Sequence, residues 1–294
     1  EADEYDRSFL QLHPRAALIT SADADHLDIY GSHQAVREAY SQFASQIEPG
    51  GMLVIKKGVD IPLPLQPQVS AYTYHYSEPC DFYALNQTVA KGGVYTFDLM
   101  LHGQKMTGCR LGVPGRINVE NAVGASALAF LNGVAPTQIR DALASFKGVS
   151  RRLDVRYSGE KCCYIDDYAH HPEEIRAAVL SVREWFAGEK ITGIFQPHLY
   201  TRTRDFAPEF AKSLDLLDQV VLMPVYPARE LPIPGVESEM IAGKMTLKNV
   251  IILDSSQITG FVRENKPRVL LTLGAGNIDR LVEPITATLK EMKL

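Results

Sequence analysis

The sequence is poor in cysteine and tryptophan. It also has no basic surplus, no long apolar run and no glycine-rich phosphate loop. The four cysteines, Cys80, Cys109, Cys162 and Cys163, form no C-x-x-C pair, which excludes the usual zinc-thiolate and dithiol redox frameworks. Cys162 and Cys163 are adjacent in an apolar run and read as small buried hydrophobes in a reduced, cytosolic setting. Thirty Lys and Arg stand against 35 Asp and Glu, for a net charge of −5. That balance excludes the basic surface that non-specific nucleic-acid binding requires. No apolar stretch approaches the roughly 20 residues of a membrane span, and no signal peptide is visible. No G-x-x-x-x-G-K-[ST] string occurs, so any nucleotide would be held without a phosphate loop of the chain's own. The chain opens Glu1-Ala2-Asp3-Glu4, without a methionine or a leading strand, and reads as a piece of a longer protein.

What is present is an ordinary globular composition, 294 residues with 46% hydrophobic, enough for about two domains of roughly 150 residues. In the second half, strand-like runs recur at Cys162–Ile165, Ile191–Phe195, Gln219–Val225, Val250–Leu253 and Val269–Leu273. Helical patterns lie between them, at Glu173–Phe186 and Asp205–Leu217, and Ile278–Leu294 closes the chain. Strands alternating with helices predict βαβ units and a mostly parallel sheet. The first half is mixed. Ala16–Thr20 and Gly51–Ile55 read as buried strands around a helix at Gly31–Ile47. The period-two segments Ala71–Tyr76, Asp81–Leu85, Gly93–Leu101 and Lys105–Leu111 predict antiparallel hairpins. Helices follow at Val119–Asn132 and Thr137–Phe146, and Lys147–Arg152 reads as a linker.

Five polar constellations interrupt this pattern. Asp166-Asp167-Tyr168-Ala169-His170-His171-Pro172 and Gln196-Pro197-His198-Leu199-Tyr200-Thr201-Arg202-Thr203-Arg204 each follow a buried strand. Ligands of open α/β sheets bind beyond the carboxyl ends of strands, so these segments predict one cleft lined by Asp167, His170, His171, His198, Arg202 and Arg204. Arginines suit anionic, phosphorylated ligands. Two adjacent histidines cannot face the same way from an extended segment, so one of the pair reads as structural. Arg204 reads as a partner of Asp205 or Glu209. The third constellation, Thr20–His26, offers carboxylates and an imidazole suited to Mg²⁺ or, equally, a polar loop capping a helix. In the fourth, Asn118 and Asn121 stand three residues apart on one helical face, where their amides can bond an adenine edge. Asn118 also suits a helix cap. The fifth, Gly274-Ala275-Gly276, is half of a dinucleotide fingerprint, and its third glycine is absent.

These segments together resemble the Mur ligases. The matching pieces are Glu1–Glu4 with Ser8-Phe9-Leu10, Asp25-His26-Leu27-Asp28, Pro114-Gly115-Arg116 with Asn118 and Asn121, Gly148-Val149 with Arg151-Arg152, Asp166–Pro172, Gln196–Thr203, Pro232 with Gly235 and Ser238, and Gly274–Gly276. The resemblance implies an α/β fold in two parts. Residues 1–149 would be part of a central ATP-binding domain, a mixed sheet with a small antiparallel portion. Residues 150–294 would be a doubly wound, Rossmann-like C-terminal domain. The family's UDP-sugar domain and the phosphate loop with its lysine would be missing.

The resemblance further implies ATP-dependent amide formation through an acyl phosphate, in the branch that joins L-alanine to UDP-N-acetylmuramate during peptidoglycan precursor synthesis, in the cytoplasm. Glu1 and His26 match the family's Mg²⁺ ligands. Asn118 and Asn121 match its adenine contacts. Arg151 or Arg152 matches an ATP-contacting arginine, and Asp167 and Tyr168 match nucleotide contacts. His170, His171 and Arg202 match the region that orients the amino acid and the substrate carboxylate. The chain departs from the family at Leu199, where an arginine is usual, and at Ile117, Ser21 and Asn277. The resemblance leaves open a homodimer, a murein-peptide ligase and a nucleotide-binding module without catalysis. An NAD-dependent dehydrogenase rests only on Gly274-Ala275-Gly276 and is disfavoured, because no acidic ribose ligand follows inside a complete βαβ unit.

Overall fold

The computed structural model describes residues 2–24, 26–90 and 93–293. The chain divides into two units, Glu1–Phe146 and Lys147–Leu294. The first unit contains β1 (Ala16–Ile19), α1 (Leu27–Tyr30), α2 (His33–Ser45), β2 (Met52–Lys56), β3 (Ser70–His75), β4 (Phe82–Val89), β5 (Tyr95–Leu101), β6 (Gln104–Arg110), α3 (Arg116–Leu131) and α4 (Pro136–Ser145). Its sheet runs in sequence order, β1 to β6. Alternation along β2 sets its two faces. Leu53 and Ile55 enter one apolar cluster with Val36 and Phe43 of α2. Val54 enters the opposite cluster with Tyr74 and with Val119 and Val123 of α3. β5 is covered on one face only, so Tyr95, Phe97, Leu99 and Leu101 are buried and the residues between them are not. Each such buried side chain contributes about 1.5–3 kcal/mol.

The period-two segments do not all form hairpins. β3 pairs parallel with both β2 and β4, and only β4, β5 and β6 are antiparallel. Alternation reports one-sided burial, and strand direction follows from the connections.

The second unit contains β7 (Asp154–Ser158), β8 (Cys163–Asp167), α5 (Pro172–Trp185), β9 (Ile191–Phe195), α6 (Tyr200–Leu214), β10 (Gln219–Leu222), α7 (Ser238–Ala242), β11 (Val250–Ile252), α8 (Ile258–Asn265), β12 (Val269–Leu273) and α9 (Val282–Met292). Its sheet order is β11-β10-β9-β12-β8-β7. Every pairing is parallel except that of the edge strand β7 with β8. β8, β9 and β12 are buried at every position, as expected when helices cover both faces. On one face, α5 packs on α6 and Phe195 meets Phe210. On the other, α8 and α9 supply Phe261, Val262, Ile285 and Leu289. The mixed α/β fold implied by the sequence is therefore present. β8 runs on through Asp167, α6 begins at Tyr200 rather than Asp205, β10 ends at Leu222 rather than Val225, and β7 is a strand that no predicted run covers.

Candidate functional site

In the second unit, β8, β12 and β9 are parallel neighbours, so the segments that follow them leave one edge of the sheet. Asp166 is fully buried. One of its carboxylate oxygens accepts from Arg151 Nε at 2.9 Å and the other from Thr272 Oγ1 at 2.6 Å. The Asp167 carboxylate also turns inward. It accepts from the backbone N–H of Leu153 at 2.7 Å and of Ala169 at 2.8 Å. Burial pushes its pKa up to about 6 against these hydrogen bonds. Tyr168 is 37% exposed, with the guanidinium groups of Arg151 and Arg152 at 5.2 and 5.4 Å from its ring centre.

The two histidines diverge. The His170 ring lies 5.1 Å from that of Tyr168 and 5.8 Å from that of His198, with Nδ1 at 3.1 Å from the Tyr168 carbonyl. The His171 ring turns to Phe206, at 5.2 Å, and its buried Nε2 has no hydrogen-bond partner among the described residues. Local sequence explains the split. Pro172 opens α5, and the Glu174 carboxylate accepts from the backbone N–H of both His170 and His171 at 3.0 and 3.2 Å. The cap leaves His171 extended (φ −109, ψ 147), and consecutive side chains of an extended segment point apart.

After β9, Gln196 is buried. Its amide donates to Asn277 Oδ1 at 2.7 Å and accepts from Ile278 N–H at 2.9 Å. His198 stacks on Tyr226 at 5.7 Å, and its buried Nδ1 has no partner among the described residues. Burial, with help from the charges of His170 and Arg202, lowers its pKa to about 4, so it is neutral at physiological pH. Leu199 precedes α6 with φ 68 and ψ 137. Arg202, expected in a loop, lies on the first turns of α6 and is 9% exposed. The start of that helix is capped from a distance, as Thr201 N–H donates to Glu230 Oε2 at 3.0 Å. Arg204 pairs with Asp205 at 2.7 Å and is the more exposed of the two arginines.

In the first unit, Gly115 (φ 101) turns the chain into α3, and Asn118 Nδ2 donates to the Pro114 carbonyl at 2.6 Å. Asn121 lies one turn on and is exposed. Glu120 between them pairs with Lys56 at 2.8 Å, tying α3 to the end of β2. His26 sits at φ 53, with Nε2 3.5 Å from Glu4 Oε1 and its ring 5.1 Å from Tyr5. Glu1 lies outside the described residues. Among the described residues no group of three or more His, Cys, Asp and Glu is arranged to hold a metal ion. A groove of about 360 Å³ beside this segment is lined by Thr20, Asp23, His33, Arg37, Lys56 and Asp60.

The sequence reading brought out neither Tyr226 nor Glu230. Both lie in the segment after β10, and no local pattern tied them to β9. Gln196 stood in a recognised cluster, but its inward direction was not legible. Among the described residues no helix is long and apolar enough to cross a membrane.

Two sequence families match the chain. The Mur ligase middle domain covers residues 2–129, and the Mur ligase glutamate ligase domain covers residues 151–276. The chain belongs to the Mur ligase family. A UDP-N-acetylmuramate–L-alanine ligase from Parabacteroides distasonis is 50% identical over 97% of this chain and 62% of that protein. One from Porphyromonas gingivalis is 46% identical over 99% of this chain and 64% of that protein. The crystal structure of a UDP-N-acetylmuramate–alanine ligase from Thermotoga maritima superposes with a TM-score of 0.76 at 27% identity, covering 100% of this chain and 64% of that one. The chain thus spans under two thirds of the length of these relatives.

Proposed function

We propose that this chain forms part of an ATP-dependent ligase that joins L-alanine to UDP-N-acetylmuramate in the cytoplasm, a step of peptidoglycan precursor synthesis. The observation that carries the reading is the grouping of Tyr168, His170, His198 and Arg202 where parallel strands end, in a chain half identical to a relative with that name. In the proposed reaction the muramyl carboxylate attacks the γ-phosphorus of ATP, giving an acyl phosphate and ADP. The alanine amine then attacks the acyl carbon, the amide forms, phosphate leaves and the nitrogen loses a proton. Both steps gather negative charge, so preorganised cations supply most of the stabilisation.

Arg202, on a helix beside the neutral His198, would orient a carboxylate, with His170 beside His198. His171 stands at the N-cap of α5 with its ring turned to Phe206. Arg152 and Tyr168 would meet the nucleotide, with Asp167 holding their loop from within. Asn118 donates from its amide nitrogen to Pro114, and Asn121 is exposed one turn on, so the pair would meet an adenine edge through the Asn118 oxygen and the Asn121 amide.

Mg²⁺ takes few protein ligands and keeps waters and phosphate oxygens. His26 beside Glu4 fits so sparse a set. Bound there, the ion would neutralise charge on the transferred phosphoryl group.

The test is phosphate release from ATP with UDP-N-acetylmuramate and L-alanine, using the longest natural form of the protein. Release that follows L-alanine is expected. Release with a tripeptide but not with alanine would show a murein-peptide ligase instead. The 294-residue chain alone is expected to be inactive, since no phosphate loop occurs in it.

A further inference from the structure

The adjacent arginines Arg151 and Arg152 occupy different surroundings. Arg151 has φ 61, and its backbone carbonyl accepts from Tyr168 N–H at 2.7 Å. Its guanidinium is used by the protein itself. Nε donates to Asp166 at 2.9 Å, and Nη2 donates to the Gly274 carbonyl at 2.6 Å. The Asp166 side chain is 1% exposed, so this is a charge-assisted contact shielded from water. Behind it the network continues through Thr272 Oγ1 to the Tyr164 hydroxyl at 3.0 Å. Arg151 therefore ties the end of β8 to the glycine turn after β12. Among the described residues the Arg152 guanidinium meets the Tyr168 ring at 5.4 Å and a distant carboxylate, Glu174 at 3.8 Å, and its side chain is half exposed. A pair so open is worth little.

The glycine turn is closed from the other side as well. A Cβ on Gly276 would lie 2.4 Å from Gln196 Oε1 and 2.8 Å from Tyr226 Cβ, and a Cβ on Gly274 (φ 144) would lie 2.9 Å from the Gln196 carbonyl. The Ile278 N–H, at the start of the helical turn where a fingerprint phosphate would bind, is satisfied by Gln196 Oε1. The space these glycines leave is thus filled by protein. The turn is a structural joint gripped by Arg151 and Gln196.

We propose that Arg151 is a positioning residue, which locks the Gly274–Gly276 turn to the end of β8 and so sets Tyr168, while Arg152 is the member of the pair that meets an anionic ligand. The identity of that ligand rests on the proposed ligase reading; the locking role does not. A lysine cannot take the place of Arg151, because one ammonium cannot reproduce a planar fork aimed at a carboxylate and a carbonyl in different directions.

The experiment compares Arg151→Ala, Arg151→Lys, Arg152→Ala and Arg152→Lys in the longest natural form of the protein. Hydrogen exchange is read at the amides of residues 274–278 and Tyr168, and KM for ATP and kcat in the alanine-dependent assay. Both Arg151 variants are expected to speed exchange at these amides by about tenfold, as local opening does when a tie is lost. They should lower kcat more than they raise KM, and lysine should not rescue. Arg152→Ala is expected to leave exchange at the turn unchanged and to raise KM for ATP about tenfold, with partial rescue by lysine. If Arg151→Ala does not fold, Arg151→Lys carries the same test. Unchanged exchange in the Arg151 variants, together with a KM for ATP raised as much as in Arg152→Ala, would overturn the assignment. Were the parent protein to show no alanine-dependent turnover, the ligase reading would fail, while the exchange data would still decide the role of Arg151.

Discussion

Asp167→Asn separates two opposing effects at the end of β8. The carboxylate is buried, and its pKa rises from 3.8 to about 6. At about 1.4 kcal/mol per pH unit, that rise makes the ionised form about 3 kcal/mol less stable in the fold than in the unfolded chain. The sign follows from proton counting. Between pH 4 and 6 the unfolded chain has lost this proton and the folded chain has kept it. The contribution to stability therefore falls as pH rises through that window, and levels off above about pH 6. Asparagine removes the ionisation and its slope. It also leaves an NH₂ facing one of the two backbone N–H donors, Leu153 or Ala169, at a cost of about 1–3 kcal/mol. At pH 4 the parent's own carboxyl O–H faces the same donors, so between pH 4 and pH 7 the variant should gain about 3 kcal/mol on the parent. Other carboxylates tilt the opposite way, such as Asp98, held low by Asn86, Gly108 and Lys105. They are common to both proteins and cancel. The single tryptophan, Trp185, ends α5, so urea titrations followed by its fluorescence report on the second unit. Parallel stability–pH curves for parent and variant would refute the reasoning.

Three further outcomes follow from the same geometry. Gly276→Ala puts a methyl 2.4 Å from Gln196 Oε1 and should cost about 1–3 kcal/mol in the same titration; a change under about 0.5 kcal/mol would show the turn to be loose. Burial pushes the thiols of Cys109 and Cys163 to about 11 and of Cys162 to about 12, so at pH 8 in native conditions an aromatic disulfide reagent should label at most Cys80 at an appreciable rate, and all four after unfolding. Arg202→Ala, in the longest natural form, should reduce alanine-dependent turnover by about 10²-fold or more while shifting the thermal midpoint by only a few degrees; a large loss of stability with activity per folded molecule intact would contradict a ligand-orienting role.

The strands of both units were legible because continuous apolar runs and clean alternation leave few alternatives. β8, β9 and β12 read directly from Cys162–Ile165, Ile191–Phe195 and Val269–Leu273. β7 was not legible, since Asp154-Val155-Arg156-Tyr157-Ser158 is an edge strand with one partner and an incomplete apolar face. The start of α6 was hidden by Tyr200–Arg204, whose polar residues suggest a loop. The helix begins there because Glu230, 29 residues away, caps Thr201. The same limit applies to the site. The polar clusters were visible as strings, but the direction of each side chain depends on partners distant in sequence. Arg151 finds Gly274, Gln196 finds Asn277 and His198 finds Tyr226, and no local pattern encodes any of these.

Backbone strain in the second unit has the same distribution as these contacts. Among the described residues there, six non-glycine residues have positive φ: Arg151, Leu153, Leu199, Ala228, Lys266 and Lys293. Lys266 and Lys293 follow the last turns of α8 and α9, where a left-handed residue is the common way to end a helix. The other four flank the polar edge of the sheet. Each such residue costs about 1–3 kcal/mol and persists only where surrounding contacts over-determine it. Those contacts are present. Tyr168 N–H holds the Arg151 carbonyl, and Asp167 holds Leu153 N–H. Leu199 donates to the Tyr226 carbonyl at 2.9 Å while its own carbonyl accepts from Thr203. The fully buried strands β8, β9 and β12 give this network a rigid base, so residues 151–153 and 196–202 can be held in unfavourable backbone geometry together with two unpartnered imidazole nitrogens. A fold selected for stability alone would relax both the strain and the unpaired nitrogens. Their coincidence at one edge, and not in the equally buried body of the sheet, marks that edge as the place where stability has been given up for a fixed arrangement of side chains.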